Sequence, residues 1–565
     1  MAITSNVLNQ EQTLEEIKNT LNFLSNTLSM TLGPYGSTTI VQDRMLQHFM
    51  TKDGYSVLKQ IKVKEDLPRT IIDIVKGISR NLVRTVGDGS TSSIVISNSL
   101  FTELKNFIET YKVPPKDLID MLNEVSIYLS NEIKKNSKKI DESMIKLEDI
   151  ATISTNNDKE SGKLIKEIFS TIGPHGMITI EDSQSKDDYY EVTNGFEIPR
   201  GYINYLFTNS EDKKTCTFEN PLIFMCNERL NESDLPMLAD LIGEACLTLG
   251  GSLVLIAKEY DGYVKTFLHE NKMANKGLQI CAIDISVNSE ESARKFNDIA
   301  IMLGVEPYNK MENEKVEKFS FSRLGKCSKV IIDDSNSRFI EGNGNPKKIK
   351  ERFELVLKEY NKLSQINDHI DRDEDLYELK KRMAQLSGAM AILYVGGETE
   401  VERNTRKFLI EDAVYACQSA IKHGYIIGGN LAIPRILNSE KKFEEIKLVL
   451  KNKFSHLNEF EIPDDVYDLD GVFKALLDSL FYSFLDSFKK VLENAKISYQ
   501  EIEEILANCI DIEEKIFNVK TRKYETIEET SIINSAETDI EILKASLSII
   551  GLLVTSNQFL SINTF

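Results

Sequence analysis

At 565 residues, with 41% hydrophobic and 28% charged content, the chain is too long for one core and is expected to form about three or four domains. The net charge of −20 disfavours nucleic acid and anionic membranes as partners, and admits a nucleotide only where backbone dipoles and a metal offset the field. Seven scattered cysteines without CxxC spacing and six dispersed histidines give no zinc pattern, and they suit buried, reduced thiols in a cytoplasmic protein. The first residues, MAITSNVLNQEQ, lack the basic and apolar regions of a signal peptide, and the apolar run SIIGLLV is too short to cross a bilayer.

Leu14, Ile17, Leu21, Leu24 and Leu28 step by three and four, which predicts an amphipathic helix ending at Gly33-Pro34. A short strand is expected over 37–42, and 70–108 is helix-rich. Between about 137 and 192 the pattern turns mixed and polar. From Gly195 to Gly388, the β-like runs PLIFMC (221–226), SLVLIA (252–257), LQICAIDI (278–285) and KVIID (329–333) alternate with helical stretches, the signature of an α/β layer. EGNGNP (341–346) marks a turn, charged helical sequence follows to Gln385, and helix-rich sequence then continues to Val554. The order α, mixed, α/β, mixed, α predicts an outer domain built from both chain ends and carrying an inserted one.

Four segments of the outer arms suit one anion site. TVGDGSTSSIV (85–95) puts an acid between glycines, then hydroxyl residues at the start of an apolar helix. A helix N-terminus attracts phosphate, and an aspartate there calls for a cation between the two, with Asp88 as a magnesium ligand. TLGPYG (31–36) is a helix end running into a turn, TKDG (51–54) sets Asp53 beside a turn glycine, and IIGGN (426–430) permits close backbone approach to a ligand. On the residues alone, each is also compatible with plain turn chemistry.

In order and spacing these segments resemble the group I chaperonins, ring-forming ATPases that fold other proteins. TLGPYG is similar to the family's TLGPKG, TKDGYSV to TKDGVSV, and GDGSTSS to GDGTTT. ATISTNND (151–158), RGYINYLF (200–207), VGGETEVE (395–402), IEDAVYA (410–416) and YIIGGNLAIPR (425–435) continue the resemblance in register. It implies a multidomain α and α/β fold, with a helical equatorial domain (1–136 and 423–565), a small mixed intermediate domain (137–193 and 391–422) and an α/β apical domain (194–390). Gly195 and Gly388 match the family's hinge glycines.

The resemblance also implies ATP, Mg2+ and K+ as cofactors. Asp88 would hold Mg2+, Gly89, Ser90, Thr91 and Ser92 the phosphates, and backbone carbonyls near Thr31 and Lys52 the K+. Thr31, Leu32, Gly33 and Pro34 would line phosphate and base, joined by Ile153, Ser154, Gly428 and Gly429. Asn518 matches an asparagine near the adenine, and Asn534 stands where the family has an acid contacting the ribose. Asp412 would orient the attacking water with help from Asp53; by pattern alone Asp412 is a solvated helix acid in VERNTRKFLIED.

Tyr202, Leu206, Phe207, Leu235 and Leu238 match the apolar groove that binds non-native chains, although core packing suits them equally well. In GYVKTFLHEN (262–271), Lys265, His269 and Glu270 replace aliphatic residues, and the sequence leaves open whether Phe267 and Leu268 face groove or core. Weaker binding of a lid co-chaperonin is expected from this charged helix, and use of a separate lid is left open. The expected partners are further copies of the chain in a homo-oligomeric ring, seven subunits to a ring, and unfolded clients. The alternative is a holdase or an assembly factor for a dedicated partner, with weak or no ATP turnover.

Overall fold

The computed structural model describes residues 4–42, 48–141, 144–155, 158–174, 176–183, 185–210, 214–248, 251–275, 277–285, 290–309, 321–364, 372–388, 390–459, 469–511, 515–556 and 558–563. It divides into two compact units. One comprises Met1–Glu167, Gln184–Asp187 and Val395–Phe565; the other comprises Ile168–Ser183 and Asp188–Tyr394.

The first unit is a helical body assembled from both chain ends. Its centre is the helix Ser90–Tyr111, which packs against Gln10–Ser29, Leu469–Asn494 and Ala536–Val554. Ile94, Val95, Ile96, Leu100, Phe101, Leu104 and Phe107 are all buried, as expected of a helix enclosed by neighbours on several sides. The predicted N-terminal helix spans Gln10–Ser29, with Asn9 and Gln12 capping each other's backbone amides and Ile17, Leu21, Leu24 and Leu28 turned inward. The helix-rich stretch 70–108 is broken into Asp66–Val86 and Ser90–Tyr111 by the turn between them. The expected strand is Thr39–Gln42, paired with His48–Thr51. Small β elements escaped the sequence pattern: Thr4–Leu8 pairs with Phe559–Asn563, Tyr425–Ile427 with Ile533–Ser535, and Lys515–Asn518 with Lys523–Thr526.

The second unit is α/β. Its larger sheet runs in the order Ile280–Asp284, Leu253–Tyr260, Leu222–Leu230, Gly325–Ile332, Ser337–Gly342, Gly195–Ile198, with Cys216–Glu219 also paired to Gly325–Ile332. The first three strands are parallel and the other pairings antiparallel. All four predicted β runs are strands here, because each is a short apolar run bounded by turn residues. The turn at 341–346 separates Ser337–Gly342 from the helix Pro346–Ser364, and part of the predicted charged helical region, 365–371, lies outside the described residues. A second sheet orders Met177–Asp182, Met390–Val395 and Tyr189–Thr193. Gly195 and Gly388, expected at a hinge, both lie inside this unit, and Gly388 has φ +72°.

All seven cysteines are buried and free. Among the described residues no helix is long and apolar enough to cross a membrane.

Candidate functional site

The helix Ser90–Tyr111 starts abruptly. Its N-cap, Gly89, has φ +90° and supplies no side-chain cap, so the first-turn amides remain open to an anion. The two glycines of the GDG turn are needed for space as well as for backbone angle. A Cβ on Gly87 (φ +73°) would stand 2.2 Å from the Asp412 carbonyl oxygen, and one on Gly89 would stand 2.6 Å from the Ile542 side chain. The turn is thereby pressed against the helices Glu400–His423 and Ala536–Val554.

A cavity of about 570 Å3 opens in front of this turn. Thr31, Leu32, Gly33, Pro34, Lys52, Asp53, Asp88, Gly89, Ser90, Thr91, Ser92, Ile153, Ser154, Asp412, Gly429, Asn518 and Asn534 all line it. Of the residues expected here, Gly428 alone does not. It is buried behind the wall, where its amide donates to the Ile532 carbonyl at 2.9 Å. Within ATISTNND, 156–157 lie outside the described residues.

The loop after the first helix is tied down by Asn494, whose amide donates to the carbonyls of Ser29 (2.8 Å) and Leu32 (2.9 Å). Asp53 caps the helix Gly54–Gln60, accepting from the Tyr55 amide at 3.1 Å and the Ser56 amide at 2.7 Å. Gly54 then brings this helix against Thr91, where a Cβ would lie 1.8 Å from Oγ1. Asp88 is solvent-accessible on the cavity side of the turn, and its Oδ1 accepts from the Gly89 amide at 2.6 Å.

Three acids share the space. Although its side chain reaches the cavity, the protein packed around Asp88 desolvates its carboxyl and raises it above its ordinary value; the Gly89 amide opposes this and the Asp53 charge adds to it. Asp412 is driven well up by burial, with Asp53 and Asp88 adding. Lys52, Lys159 and Lys520 also line the cavity; burial lowers Lys520, and the other two lysines lower it further. An anionic ligand bearing a cation would relieve both clusters. The donor set on the acidic side is all oxygen and suits a hard dication such as Mg2+. Among the described residues no three ligating side chains converge tightly enough to cage a metal. A dication here would therefore rest on Asp88 and on oxygens of its ligand, which is how Mg2+ commonly sits with phosphates.

The opposite end is apolar, with Phe488, Val491, Phe517, Val519 and Ile532 in its wall. Here the side chain of Asn518 is used by its own hairpin. Its oxygen accepts from the Lys520 and Thr521 amides, and its nitrogen donates to the Glu525 carboxylate at 3.0 and 2.9 Å. Asn430, the last residue of IIGGN, also lines the cavity. It adopts φ +59°, donates to Ser487 Oγ at 2.8 Å, and keeps a buried Oδ1 without a partner. Lys159, Ser487 and Phe488 were missed because nothing in their spacing separates them from ordinary helix positions.

In the second unit, Phe207 and Leu238 are buried in the core at 2% and 0% exposure, so in this structure they serve packing and offer no groove surface. Tyr202, Leu206 and Leu235 are half-buried. Leu268 points into the core, whereas Lys265 and Glu270 are exposed.

Two solved structures share this architecture. Both are of the chaperonin gp146 from the bacteriophage EL 2 (Pseudomonas aeruginosa) in the presence of ATP-BeFx. Crystal form II matches with a TM-score of 0.74 and crystal form I with 0.65, each at 17% identity over 98% of this chain and 98% of that one. The family model of the TCP-1/cpn60 chaperonins matches residues 24–562. The chain therefore belongs to the TCP-1/cpn60 chaperonin family, as a divergent, group I-like member with the multidomain α and α/β chaperonin fold.

Proposed function

We propose that this protein is an ATP-hydrolysing chaperonin, which encloses non-native proteins in a homo-oligomeric ring of seven subunits and promotes their folding. The observation that carries this is the uncapped helix start at Gly89–Ser92, set in one cavity with Asp88, Asp53 and Asp412. Phosphoryl transfer to water needs positioning and charge compensation more than covalent help, and this cavity supplies both. The amides of Ser90, Thr91 and Ser92 would hold the phosphates, with Lys52 nearby. Asp88 would hold Mg2+, which neutralises charge on the phosphates, and carbonyls of Thr31 and Lys52 would take K+. Asp412, on the helix packed against the GDG turn, would orient the attacking water, with Asp53 beside it.

Three functional domains with the boundaries given above fit this reading. Tyr202, Leu206 and Leu235 would contribute to the client surface, and the exposed charges Lys265 and Glu270 would narrow what it accepts. Steady-state ATP turnover is the test. Asp412→Ala should abolish turnover while Mg2+-dependent ATP binding persists; a wild-type protein that binds ATP without turning it over would favour the holdase instead.

A further inference from the structure

The charged side chains that line the cavity are five acids and three lysines. Two of the acids are engaged by lysines outside it: Glu148 pairs with Lys166 at 3.7 Å and Asp149 with Lys146 at 3.3 Å. The three lysines of the wall come from separate segments. Lys52 precedes the helix Gly54–Gln60, Lys159 opens the helix Lys159–Ile172, and Lys520 sits in the turn between Lys515–Asn518 and Lys523–Thr526. Among the described residues none of the three is ion-paired to a carboxylate. Asp158, beside Lys159, accepts from Ser161 Oγ at 2.6 Å and lies 3.9 Å from Arg406. Glu525, on the hairpin of Lys520, accepts from Asn518 at 3.0 Å and from Thr521 Oγ1 at 2.7 Å. Lys159 and Lys520 are exposed while lining the cavity, so they stand where it opens to solvent; Lys52 is half-buried.

Like charges gathered without a countercharge repel one another. The effect is felt at Lys520, whose ammonium is held below its ordinary value by desolvation and then by Lys159 and Lys52. The molecule around them has the opposite sign, with 88 acids against 68 lysines and arginines and a net charge of −20. Its far field repels a nucleoside triphosphate. A cleft mouth lined by cations focuses the field locally and reverses that repulsion within about a Debye length, ~10 Å at 0.1 M salt.

We propose that Lys159 and Lys520, with Lys52, form an electrostatic entry that draws a nucleoside triphosphate into the cavity against the repulsion of the acidic protein. The inference rests on the nucleotide reading above and adds capture to it, a step separate from holding the bound phosphates. Charges at the rim act on the approaching anion. They therefore set the association rate, and dissociation is left to the groups that touch the bound ligand.

The test is stopped-flow binding of the fluorescent analogue 2-aminopurine riboside triphosphate to the full chain, with Mg2+ and K+ fixed. Choline chloride raises the ionic strength from about 20 to about 500 mM, which shortens the Debye length severalfold. In wild type the association rate should fall as salt rises, the sign of attraction. Lys159→Gln combined with Lys520→Gln should lower that rate by about three- to tenfold at the lowest salt and flatten or reverse its salt dependence. Dissociation, read by chasing with ATP, should be unchanged. Lys159→Arg combined with Lys520→Arg, which keeps both charges, should behave as wild type. Wild-type association that rises with salt overturns the proposal, and so does unaltered association in the double Gln variant. Faster dissociation with unaltered association overturns it too, by making the lysines contacts of the bound nucleotide. A protein that binds neither the analogue nor ATP overturns the nucleotide reading as well.

Discussion

Asp539, in the first turn of the helix Ala536–Val554, is buried with one carboxylate oxygen unpartnered, and this has a consequence for stability. Burial raises its carboxyl from 3.8 to about 7; the Asn534 hydrogen bond pulls against this and the Asp88 charge adds to it. Between those two values the folded protein holds a proton that the unfolded chain has released. The stabilisation from that proton is fully present below 3.8 and is lost as pH rises through about 7. Denaturant unfolding of wild type and Asp539→Asn should therefore diverge with pH. The variant should gain relative stability from pH 5 to 8, with a ceiling on the order of 4 kcal/mol across the full interval. Parallel profiles would remove the buried acid from the account. At this scale the sequence was informative where backbone geometry demanded a residue type. Gly87 and Gly89 were legible as a turn beside an acid, and the structure gives the reason in the close approach of Asp412 and Ile542. Asp539 was not legible, because an acid in the first turn of a helix is ordinary on dipole grounds and nothing local marks it as buried. Phe207 and Leu238 show the converse limit: an apolar residue has the same signature in a groove as in a core.

Long apolar elements were legible because their periodicity persists over many residues. The helix Gln10–Ser29 and the parallel strands Leu222–Leu230, Leu253–Tyr260 and Ile280–Asp284 lie where the pattern put them. Several elements of three to five residues, among them Thr4–Leu8, Tyr425–Ile427 and Lys515–Asn518, were invisible, since a run that short displays no period unless apolar residues and turn signals frame it. One of them, the hairpin Lys515–Asn518 with Lys523–Thr526, forms part of the cavity wall. Asn518 holds its turn together by accepting from the Lys520 and Thr521 amides while donating to Glu525. Asn518→Ala removes the four hydrogen bonds that its side chain makes to Lys520, Thr521 and Glu525, a local loss of about 1–3 kcal/mol. Amide exchange in a peptide spanning 515–526 should accelerate by about ten- to a hundredfold, with the helix Ser90–Tyr111 unaffected. Unchanged exchange in the hairpin would mean that its strands, and not the Asn518 side chain, hold the turn.

At the scale of the whole molecule, the two chain ends build one core between them. Leu24, Leu100 and Phe101, from the N-terminal arm, share one buried cluster with Leu476, Phe484, Leu543 and Ile550, from the C-terminal arm. Neither arm contains its own core, so each needs the other to leave water. The inserted segment is different. Among the described residues, its buried cluster runs from Phe196 to Leu386 and draws on none outside that span. Apolar burial is the dominant favourable term in folding, so a segment that carries a whole cluster should fold alone and one that carries half should not. A fragment of residues 195–388 is therefore expected to give a cooperative thermal transition and dispersed amide resonances. A fragment of residues 1–167, made separately, is expected to remain unfolded or aggregate, and to gain structure when 395–565 is supplied. The switch in hydrophobic period near Gly195 and Gly388 marks the span of this cluster, while the two compact units divide at 167–168 and 394–395, with Gln184–Asp187 grouped with the helical unit. The strands Met177–Asp182, Tyr189–Thr193 and Met390–Val395 account for the offset, because their shared sheet belongs with the α/β unit although the chain there is polar. If 195–388 fails to fold while 168–394 succeeds, that small sheet is required for the α/β unit's stability; if both fail, the inserted segment is no independent folding unit and the nesting is one of chain order alone.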